Sequence, residues 1–276
     1  MKLSLVSIVI PTKNSAKYLA DCLESIKNQT YPNIEVIIVD SNSVDNTLSI
    51  AKKYNTSAYK YSPKVMKGIF DAAYKRNYGV RKAKGEYVYY VDADMVLTKD
   101  VVGEAVNLCK KNYQAAIISE DSFGSGVWAR AKNLERRCYW GDDRVEAPRF
   151  FKKKTWQELG GLDENIGGGG DDWDLYQKLL DKGYKAARTK SRILHNEGNL
   201  KLFALLKKRF MYGRESLKYI IKRPKVAAIS YFPIRRGYLK NWKVFLTHPV
   251  DTFFFLVMRF MEYLAGLSGV IYSLVK

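Results

Sequence analysis

A repeated alternation of short, β-branched apolar runs with amphipathic stretches constrains the fold of this chain more than any other feature. Residues 5–10 (LVSIVI) and 34–39 (IEVIIV) have the length and composition of buried strands. Between them, residues 16–28 place four apolar side chains at helical spacing. A strand, a helix and a second strand in this order predict two parallel strands joined by a right-handed crossover.

The same alternation continues as far as about residue 188. We predict further helices after Thr47 and over 70–83, 99–112, 154–159 and 171–182, with strands at 57–61, 86–91, 114–118, 149–151 and 184–188. The region after Ser119 is expected to be less regular. The fold class is therefore α/β, an open and mostly parallel sheet with helices on both faces. Ligands of such sheets bind at the carboxyl ends of the strands.

Charge divides the chain into two parts. The net charge is +19, and residues 199–276 hold 15 basic against 3 acidic residues, whereas residues 1–198 hold 32 against 25. We therefore predict a catalytic domain over 1–198 and a basic, apolar helical extension over 199–276. Three widely spaced cysteines without a CxxC pair argue against a disulfide framework or a cysteine zinc site and favour a reducing compartment.

The first eleven residues predict a strand. Their apolar run is short, alternates with serine and stops at Pro11, whereas a secretory signal needs a longer apolar segment and a small-residue cleavage site.

Asp92 and Asp94 follow a predicted buried strand. Residues at i and i+2 of a strand point to the same face, so both carboxylates can reach one cation. Mg²⁺ and Mn²⁺ prefer carboxylate oxygens together with substrate phosphates, which predicts a metal that bridges a diphosphate. The alternative is a pair of solvated acids at a strand end. Their position at the binding edge of the sheet favours the metal.

Three more polar residues belong to the same predicted edge. Asp40 ends the second strand, where a carboxylate accepts hydrogen bonds from a base or a ribose. Its alternative is a turn with the serines at 41 and 43. Asn77 is a poor helix former inside a predicted helix, which indicates a side-chain hydrogen bond into the site. Exposure to solvent explains its neighbour Arg76 equally well.

The segment 167–174 (GGGGDDWD) is the most specific local signal. Four glycines let backbone approach a ligand closely and allow positive φ. Asp171 and Asp172 fall at a predicted helix N-terminus, where the dipole favours ionised carboxylates. An ionised carboxylate beside an acceptor hydroxyl is a general base. Simple N-capping needs only one acid, and three occur here within four residues beside Trp173.

These stretches, in this order, resemble the family 2 glycosyltransferases, which have the GT-A fold. The resemblance covers roughly residues 5–197. It rests on SIVIPTKN (7–14), EVIIVDSNSVDNT (35–47), RNYGVRKAKGEYVYYVDADM (76–95), FFKKKTWQELGGLDE (150–164) and GGGGDDWDLYQKLLDKGYKA (167–186), with His195 beyond them.

The resemblance implies a role for each matching residue. Asp92 and Asp94 match the family's DxD, with Asp94 the more direct ligand of Mg²⁺ or Mn²⁺, and His195 resembles a downstream histidine that reaches the metal in some members. Asp172 matches the catalytic base, while Asp171 replaces the family's glutamate as its helper. Pro11, Thr12 and Asp40 match residues that hold the nucleotide. We assign to the same nucleotide-sugar site Asn14, Arg76, Asn77, Asp92 and Trp173.

The activity that the resemblance implies is an inverting single displacement. A nucleotide-diphosphate sugar gives its sugar to a hydroxyl, with Asp172 as the base, or to a phosphate that attacks unaided. The QxxRW motif of processive synthases is absent, because Arg137, Cys138 and Tyr139 precede Trp140. We therefore expect one sugar per encounter.

The extension predicts contact with a membrane. Residues 200–221 form a basic amphipathic pattern, and 250–258 and 263–275 are apolar, interrupted by Arg259 and Glu262. This interruption favours a re-entrant or interfacial hairpin over one spanning helix. A helical pair that packs on the catalytic domain is the alternative. We expect a peripheral or monotopic protein at the cytoplasmic face of the membrane, and an acceptor that is a lipid-linked glycan or a polyprenyl phosphate.

Other classes of protein fit less well. A nucleic-acid-binding protein would explain the charge, but the chain lacks an RNP-type motif and its basic residues accompany apolar runs, so we expect no nucleic-acid partner. A nucleotidyltransferase would carry a glycine-rich basic loop after the first strand, where this chain has PTKN. A catalytically inactive adaptor would not need every acid of the site.

Overall fold

The fold was analysed in a computed structural model that describes residues 3–62, 70–143 and 145–275. The strands in these residues are β1 (Val6–Thr12), β2 (Ile34–Asp40), β3 (Ser57–Lys60), β4 (Tyr87–Tyr90), β5 (Met95–Leu97), β6 (Ala115–Ile117), β7 (Glu120–Ser125), β8 (Phe150–Lys152), β9 (Ala186–Arg188) and β10 (Ile193–Asn199). The helices are α1 (Ala16–Lys27), α2 (Thr47–Lys53), α3 (Ala72–Lys82), α4 (Val101–Lys110), α5 (Val127–Tyr139), α6 (Lys153–Glu158), α7 (Gly170–Asp181), α8 (Leu202–Lys222), α9 (Pro224–Ser230), α10 (Arg236–Lys240), α11 (Lys243–Thr247) and α12 (Pro249–Val275).

The main sheet has seven strands in the order β3-β2-β1-β4-β8-β6-β9. The first four are parallel to one another, β8 is antiparallel to both of its neighbours, and β9 is parallel to β6. A second sheet of three strands, β5-β10-β7, lies beside it. The predicted α/β class, with a mostly parallel sheet and a C-terminal helical extension, is confirmed.

Apolar side chains on both faces of the main sheet form its two core clusters. Ile8 and Ile10 of β1 pack with α1 and α4 on one face, while Val9 packs with α3 on the other. A strand that is covered on both sides is continuously apolar, which is why β1 and β2 were predicted correctly.

The expectation of an irregular region after Ser119 is wrong. Strand β7 and the thirteen-residue helix α5 occupy it. The buried face of α5 contains Lys132 and Glu135, which form ion pairs with side chains of the extension. Helix α5 is amphipathic, but it contains few strongly apolar residues, because charged residues occupy part of its core-facing side.

The expectation of a hairpin between 250 and 275 is also wrong, because α12 is one continuous helix of 27 residues. Arg259 and Glu262, which interrupt its apolar pattern, pair with each other at 2.6 Å and lie buried against α5 and α8. In the described part of the chain, α12 is the one helix long and apolar enough to cross a membrane, with a mean hydropathy of 1.5 and 28% of its most apolar window buried.

Glycines allow α8 and α12 to pack closely. A Cβ added to Gly213 would collide with the backbone carbonyl of Gly266, and one added to Gly269 would collide with that of Phe210. A Cβ at Gly266 would meet nothing within 4 Å. The close approach therefore depends on Gly213 and Gly269 and not on Gly266.

This asymmetry predicts opposite effects of two glycine-to-alanine substitutions. Gly213→Ala is expected to lower the free energy of unfolding by about 1–3 kcal/mol, because the backbones must separate. Gly266→Ala is the matched control and is expected to be neutral or to stabilise the helix by up to about 1 kcal/mol. Thermal unfolding of both variants in the same detergent measures the difference; equal midpoints would show that the helices do not meet at Gly213.

Candidate active site

The two aspartates of the DxD motif lie in a turn, not on a strand. Strand β4 ends at Tyr90, and the amide of Met95 donates to the carbonyl of Asp92 at 3.0 Å, which closes a turn before β5. The prediction that Asp92 and Asp94 share one strand face is therefore wrong in its geometry. The turn nevertheless leaves both carboxylates at the carboxyl end of β4, where the binding edge was expected.

A single buried arginine joins the acids of two motifs. Arg76 of α3 contacts Asp92 Oδ1 at 2.6 Å through Nη2. Its Nη1 lies 3.3 Å from Asp172 Oδ1 and 3.6 Å from Asp171 Oδ2. Burial opposes the charge of this guanidinium, but the three carboxylates outweigh that effect and raise the pKa of Arg76. The DxD turn and the start of α7 therefore converge on one point.

A second series of side-chain contacts links the two aspartates of the DxD turn. Arg149 contacts Asp92 Oδ2 at 3.3 Å and Glu120 Oε1 at 2.9 Å. Glu120 Oε2 lies 3.4 Å from Nδ1 of His195, and His195 Nε2 lies 3.2 Å from Asp94 Oδ2. Asp92, Arg149 and Glu120 alternate in charge, and His195 then joins Glu120 to Asp94 through its two ring nitrogens.

Neighbouring charged groups shift the pKa values of Asp92 and His195. Burial opposes ionisation of Asp92, but Arg76 and Arg149 outweigh it and lower the pKa of the carboxyl well below its ordinary value. Burial and Arg136 favour neutral His195, but hydrogen bonds to Asp94 and Glu120 outweigh them and raise the pKa of the imidazole. Asp92 is therefore ionised at neutral pH.

Asp94 and His195 are the residues that best fit a divalent metal. Oδ1 of Asp94 is buried and has no hydrogen-bond partner in the described residues, which indicates a missing ligand. Both oxygens of Asp92 contact arginines, so its predicted role as a direct metal ligand is not supported by a free oxygen. The described residues contain no ready-made cluster of three His, Cys, Asp or Glu ligands. This open arrangement matches Mg²⁺ or Mn²⁺, whose coordination substrate phosphates complete.

Only one of the two carboxylate oxygens of Asp172 has hydrogen-bond partners among the described residues. The Tyr90 hydroxyl and Arg76 Nη1 both contact its Oδ1, at 2.9 and 3.3 Å. Burial raises the pKa of Tyr90 well above its ordinary value, so the phenol stays protonated and can donate. Among the described residues none contacts Oδ2 of Asp172, which leaves that oxygen free to accept a proton.

The glycine-rich loop serves the extension more than a ligand. Gly168 and Gly169 have φ of +68° and +86°, as the sequence predicted. However, a Cβ at Gly168 would lie 3.0 Å from the Tyr212 carbonyl, and one at Gly170 would lie 3.0 Å from Tyr219. The element that closely approaches the glycine backbone is therefore helix α8 and not a ligand. The glycines leave the space that α8 needs to pack against this loop and the start of α7.

The predicted nucleotide residues near the N-terminus form a separate cluster. Thr12 pairs with Asp40 in the sheet and donates to its Oδ1 at 2.8 Å. The amide of Ser43 donates to Asp40 Oδ2 at 2.8 Å, so the turn considered as an alternative for Asp40 is present. Asn14 caps the same turn by accepting from the Val44 amide at 2.9 Å. Pro11 precedes Thr12 at the end of β1.

Two predicted nucleotide-site residues have other partners. Asn77 donates to the Leu162 carbonyl at 2.9 Å and accepts from the Leu162 amide at 3.0 Å, so it holds the loop before α7 and does not face the site. Trp173 donates to the Val145 carbonyl at 3.0 Å, and its ring packs against Tyr231. It is part of a cavity wall.

This cavity has a volume of about 550 Å³ and lies between the site and the extension. Asp172, Trp173 and Arg149 line its catalytic side. Helices α8 and α12 line the opposite side. None of the described nucleotide-cluster residues at 11–14 and 40 lines it. Asp172 thus contacts the charged residues around the DxD turn through Arg76 and also lines a cavity whose opposite wall belongs to the extension.

Comparison with known proteins agrees with this arrangement. The sequence profile of glycosyl transferase family 2 matches residues 7–169. The chain belongs to glycosyl transferase family 2. The match runs from β1 through the DxD turn and ends in the glycine-rich loop that precedes α7.

The chain is also similar to curated glycosyltransferases over part of their length. The chain is 29% identical over 83% of its length to the chondroitin synthase of Escherichia coli, and 37% identical over 36% of its length to the glycosyltransferase GlyG of Streptococcus pneumoniae. These alignments cover 35% and 33% of the relatives, so the chain spans about a third of their length.

Solved structures show the fold of the whole chain. A mannosyltransferase from Pyrobaculum calidifontis in complex with GDP-Man and Mn²⁺ superposes with a TM-score of 0.65 over 98% of this chain and 87% of its own, at 18% identity. Residues 1–349 of TarS from S. aureus in complex with UDP-GlcNAc superpose with a TM-score of 0.56 over 99% of this chain and 92% of that one, at 17% identity. The predicted GT-A fold is confirmed.

Sequence reasoning missed several members of this family 2 site, most clearly Tyr90, Glu120 and Arg149. Tyr90 lies two residues before the DxD turn, in a strand whose tyrosines suggested only a core. Glu120 lies in β7, which was not predicted. Arg149 immediately precedes the apolar pair of β8, and a charged residue there was the one available signal.

The charge of Asp171 predicts a pH-dependent stability. Burial and the neighbouring Asp172 raise the pKa of Asp171 to about 7. The folded state therefore binds a proton that the unfolded state has already lost, and stability falls as pH rises from about 4 to about 7. Asp171→Asn removes this loss.

The Asp171→Asn variant is expected to match the wild type near pH 4 and to exceed it in unfolding free energy above pH 7. Thermal unfolding of both proteins across this range measures the difference. A difference that stays constant with pH would mean that Asp171 is ionised throughout.

Proposed function

We propose that this chain is an inverting glycosyltransferase that moves one sugar from a nucleotide-diphosphate sugar to an acceptor hydroxyl. The observation that carries the proposal is the convergence of Asp92 and Asp172 on Arg76, beside Asp94 and His195. This arrangement supports a diphosphate site within reach of a carboxylate base. Membership of glycosyl transferase family 2 supports the same activity.

In the proposed reaction, Oδ2 of Asp172 takes the proton from the acceptor hydroxyl. The acceptor oxygen then forms a bond to the anomeric carbon as the bond from that carbon to the phosphate oxygen breaks. The electron pair of the broken bond leaves with the nucleoside diphosphate, and the anomeric configuration inverts. An acceptor phosphate would attack without the base. Tyr90 and Arg76 hold Oδ1 and so orient the carboxylate.

A divalent ion held by Asp94 and His195 would supply positive charge to the leaving diphosphate. Two solved structures of the same fold contain GDP-Man with Mn²⁺ and UDP-GlcNAc, and these ligands support the class of donor proposed for this chain. Thr12, Asp40 and Pro11 are the proposed base and ribose site. Because these residues do not line the cavity beside Asp172, we propose that donor and acceptor approach Asp172 from different directions.

Substitution of the base separates catalysis from donor binding. Asp172→Asn is expected to lower the transfer rate by about 10²- to 10⁴-fold, because proton abstraction is lost. Donor affinity should stay within a few-fold of the wild type. Asp94→Asn is the matched control, and its metal-dependent donor affinity should fall. Calorimetry with UDP- and GDP-sugars in the presence of Mn²⁺, together with a turnover assay, measures both; parallel losses of affinity and rate in Asp172→Asn would refute the base.

We infer further that the chain works at the cytoplasmic face of a membrane, as a peripheral or monotopic protein, on a lipid-linked acceptor. One face of α12 exposes a stripe of large apolar side chains, each more than half exposed: Phe253, Leu256, Phe260, Leu264, Leu267, Ile271 and Leu274. The same extension carries most of the net positive charge of the chain. Apolar and basic surfaces side by side favour an anionic leaflet.

Vesicle flotation tests the membrane contact. The wild type is expected to float with vesicles that contain anionic lipid. A double substitution on the stripe, Phe260→Asp with Leu264→Asp, should lower the bound fraction several-fold. Leu180→Asp on α7 is the control, because that leucine is 44% exposed on the catalytic part. Equal flotation of all three proteins would exclude the stripe as the contact.

A further inference from the structure

The cavity beside Asp172 has one wall from the catalytic part and one from the extension. Asp172 belongs to the catalytic wall, and no residue of the extension wall has a role in the chemistry proposed above. Arg235 and Tyr231, which lie between α9 and α10, line this wall together with Arg259 of α12. The unusual feature of the wall is its charge.

Most charges around the cavity are paired. Its lining includes six basic and five acidic residues. Glu120 pairs with Arg136 and Arg149. Glu135 and Glu262 pair with a group of three basic residues from α5, α8 and α12, namely Lys132, Arg209 and Arg259. Each carboxylate named here therefore already has a cationic partner.

Arg235 is the exception. Across residues 3–62, 70–143 and 145–275, no carboxylate lies within ion-pair distance of its guanidinium, which stacks 4.9 Å above the ring of Tyr139. Its Nε is buried and has no hydrogen-bond partner in the same residues. An arginine side chain keeps its charge under all ordinary conditions. Arg235 is half-buried, and an unpaired guanidinium that has lost part of its hydration is costly unless an anion joins it.

Arg259 adds a second unsatisfied donor to the same wall. The residue is 8% exposed, and its Nη1 contacts Glu135 and Glu262 at 3.0 and 2.6 Å. Its Nε, however, is buried without a partner, as is the hydroxyl of Tyr231, in the part of the chain that the structure describes. Native proteins leave few buried donors unpaired, so three in one wall indicate a ligand with several acceptor oxygens. A phosphate group matches arginine in charge and geometry.

The same wall also contains apolar side chains. Ile220, Leu267 and Val270 line it, and Leu267 also belongs to the exposed stripe of α12. The cavity is therefore continuous with the surface that we propose contacts the membrane. A free phosphate ion would make no use of this apolar side. An amphiphile with an anionic group would contact both the unpaired donors and the apolar side chains.

We propose that this cavity binds the acceptor, an amphiphile whose phosphate or diphosphate group contacts Arg235, Arg259 and Tyr231 and whose apolar chain leaves past Leu267 along α12. This inference rests on the proposed function, because the acceptor must reach Asp172 in the same cavity. It adds a defined subsite for the anionic group. It also gives the extension a direct part in acceptor recognition.

Binding of farnesyl phosphate to the full chain in detergent, without donor or metal, tests the subsite. We expect Arg235→Gln to weaken this binding at least tenfold, since hydrogen bonds to charged groups are lost, and Arg235→Lys to weaken it less. Arg236→Gln is the matched control, because Arg236 is exposed and does not line the cavity. Farnesol and inorganic phosphate should each bind much more weakly than farnesyl phosphate.

Three outcomes would overturn the proposal. Farnesol that binds as tightly as farnesyl phosphate would remove the anion site. Inorganic phosphate with the same affinity and the same loss in Arg235→Gln would identify a site for free phosphate. Equal losses in Arg235→Gln and Arg236→Gln would indicate general attraction to a basic surface. Because the assay contains no donor, a failure of sugar transfer leaves its result unchanged, and the two proposals fail separately.

Discussion

The arrangement of the site depends on the buried guanidinium of Arg76. Asp92, Asp171 and Asp172 come from two segments that are far apart in the sequence, and each would repel the others in a protein interior. Arg76 contacts all three, and its ring contact with Tyr90, 4.7 Å below, fixes its plane. Without this cation the start of α7 could not lie so close to the DxD turn, because the carboxyl groups of the two segments would lose their shared partner.

A second buried charge group joins the extension to the catalytic part. Lys132 and Glu135 of α5 meet Arg209 of α8 and the pair Arg259–Glu262 of α12. Loss of one member of such a group is strongly destabilising, because it leaves a buried charge unpaired. The helix with the exposed apolar stripe is thus attached by ion pairs to the wall of the cavity that contains Asp172. Membrane contact and acceptor binding are proposed to share one structural unit for this reason.

Local patterns predicted the fold and part of the site. Strands β1 and β2 are apolar on both faces, and the acids at 92, 94, 171 and 172 stand at strand ends and a helix start, so both could be located from the sequence. Helix α5 was missed although its sequence is amphipathic, because it contains few strongly apolar residues. The continuity of α12 could not be predicted, because the charged residues that interrupt its apolar pattern are paired across the fold. The glycines at 167–170 were interpreted as ligand contacts, whereas helix α8, distant in the sequence, occupies that space. Arg149 and Glu120 join the site only through tertiary contacts that no local pattern encodes.

We propose that the acids gathered around Arg76 and His195 form a metal-assisted site for a sugar nucleotide. A thermal-shift screen of nucleotide-diphosphate sugars on the full chain, with and without Mn²⁺, tests this site directly. We expect that at least one UDP- or GDP-sugar raises the unfolding temperature, and that Mn²⁺ increases this rise. Unfolding temperatures that no sugar nucleotide changes, with or without the metal, would contradict it.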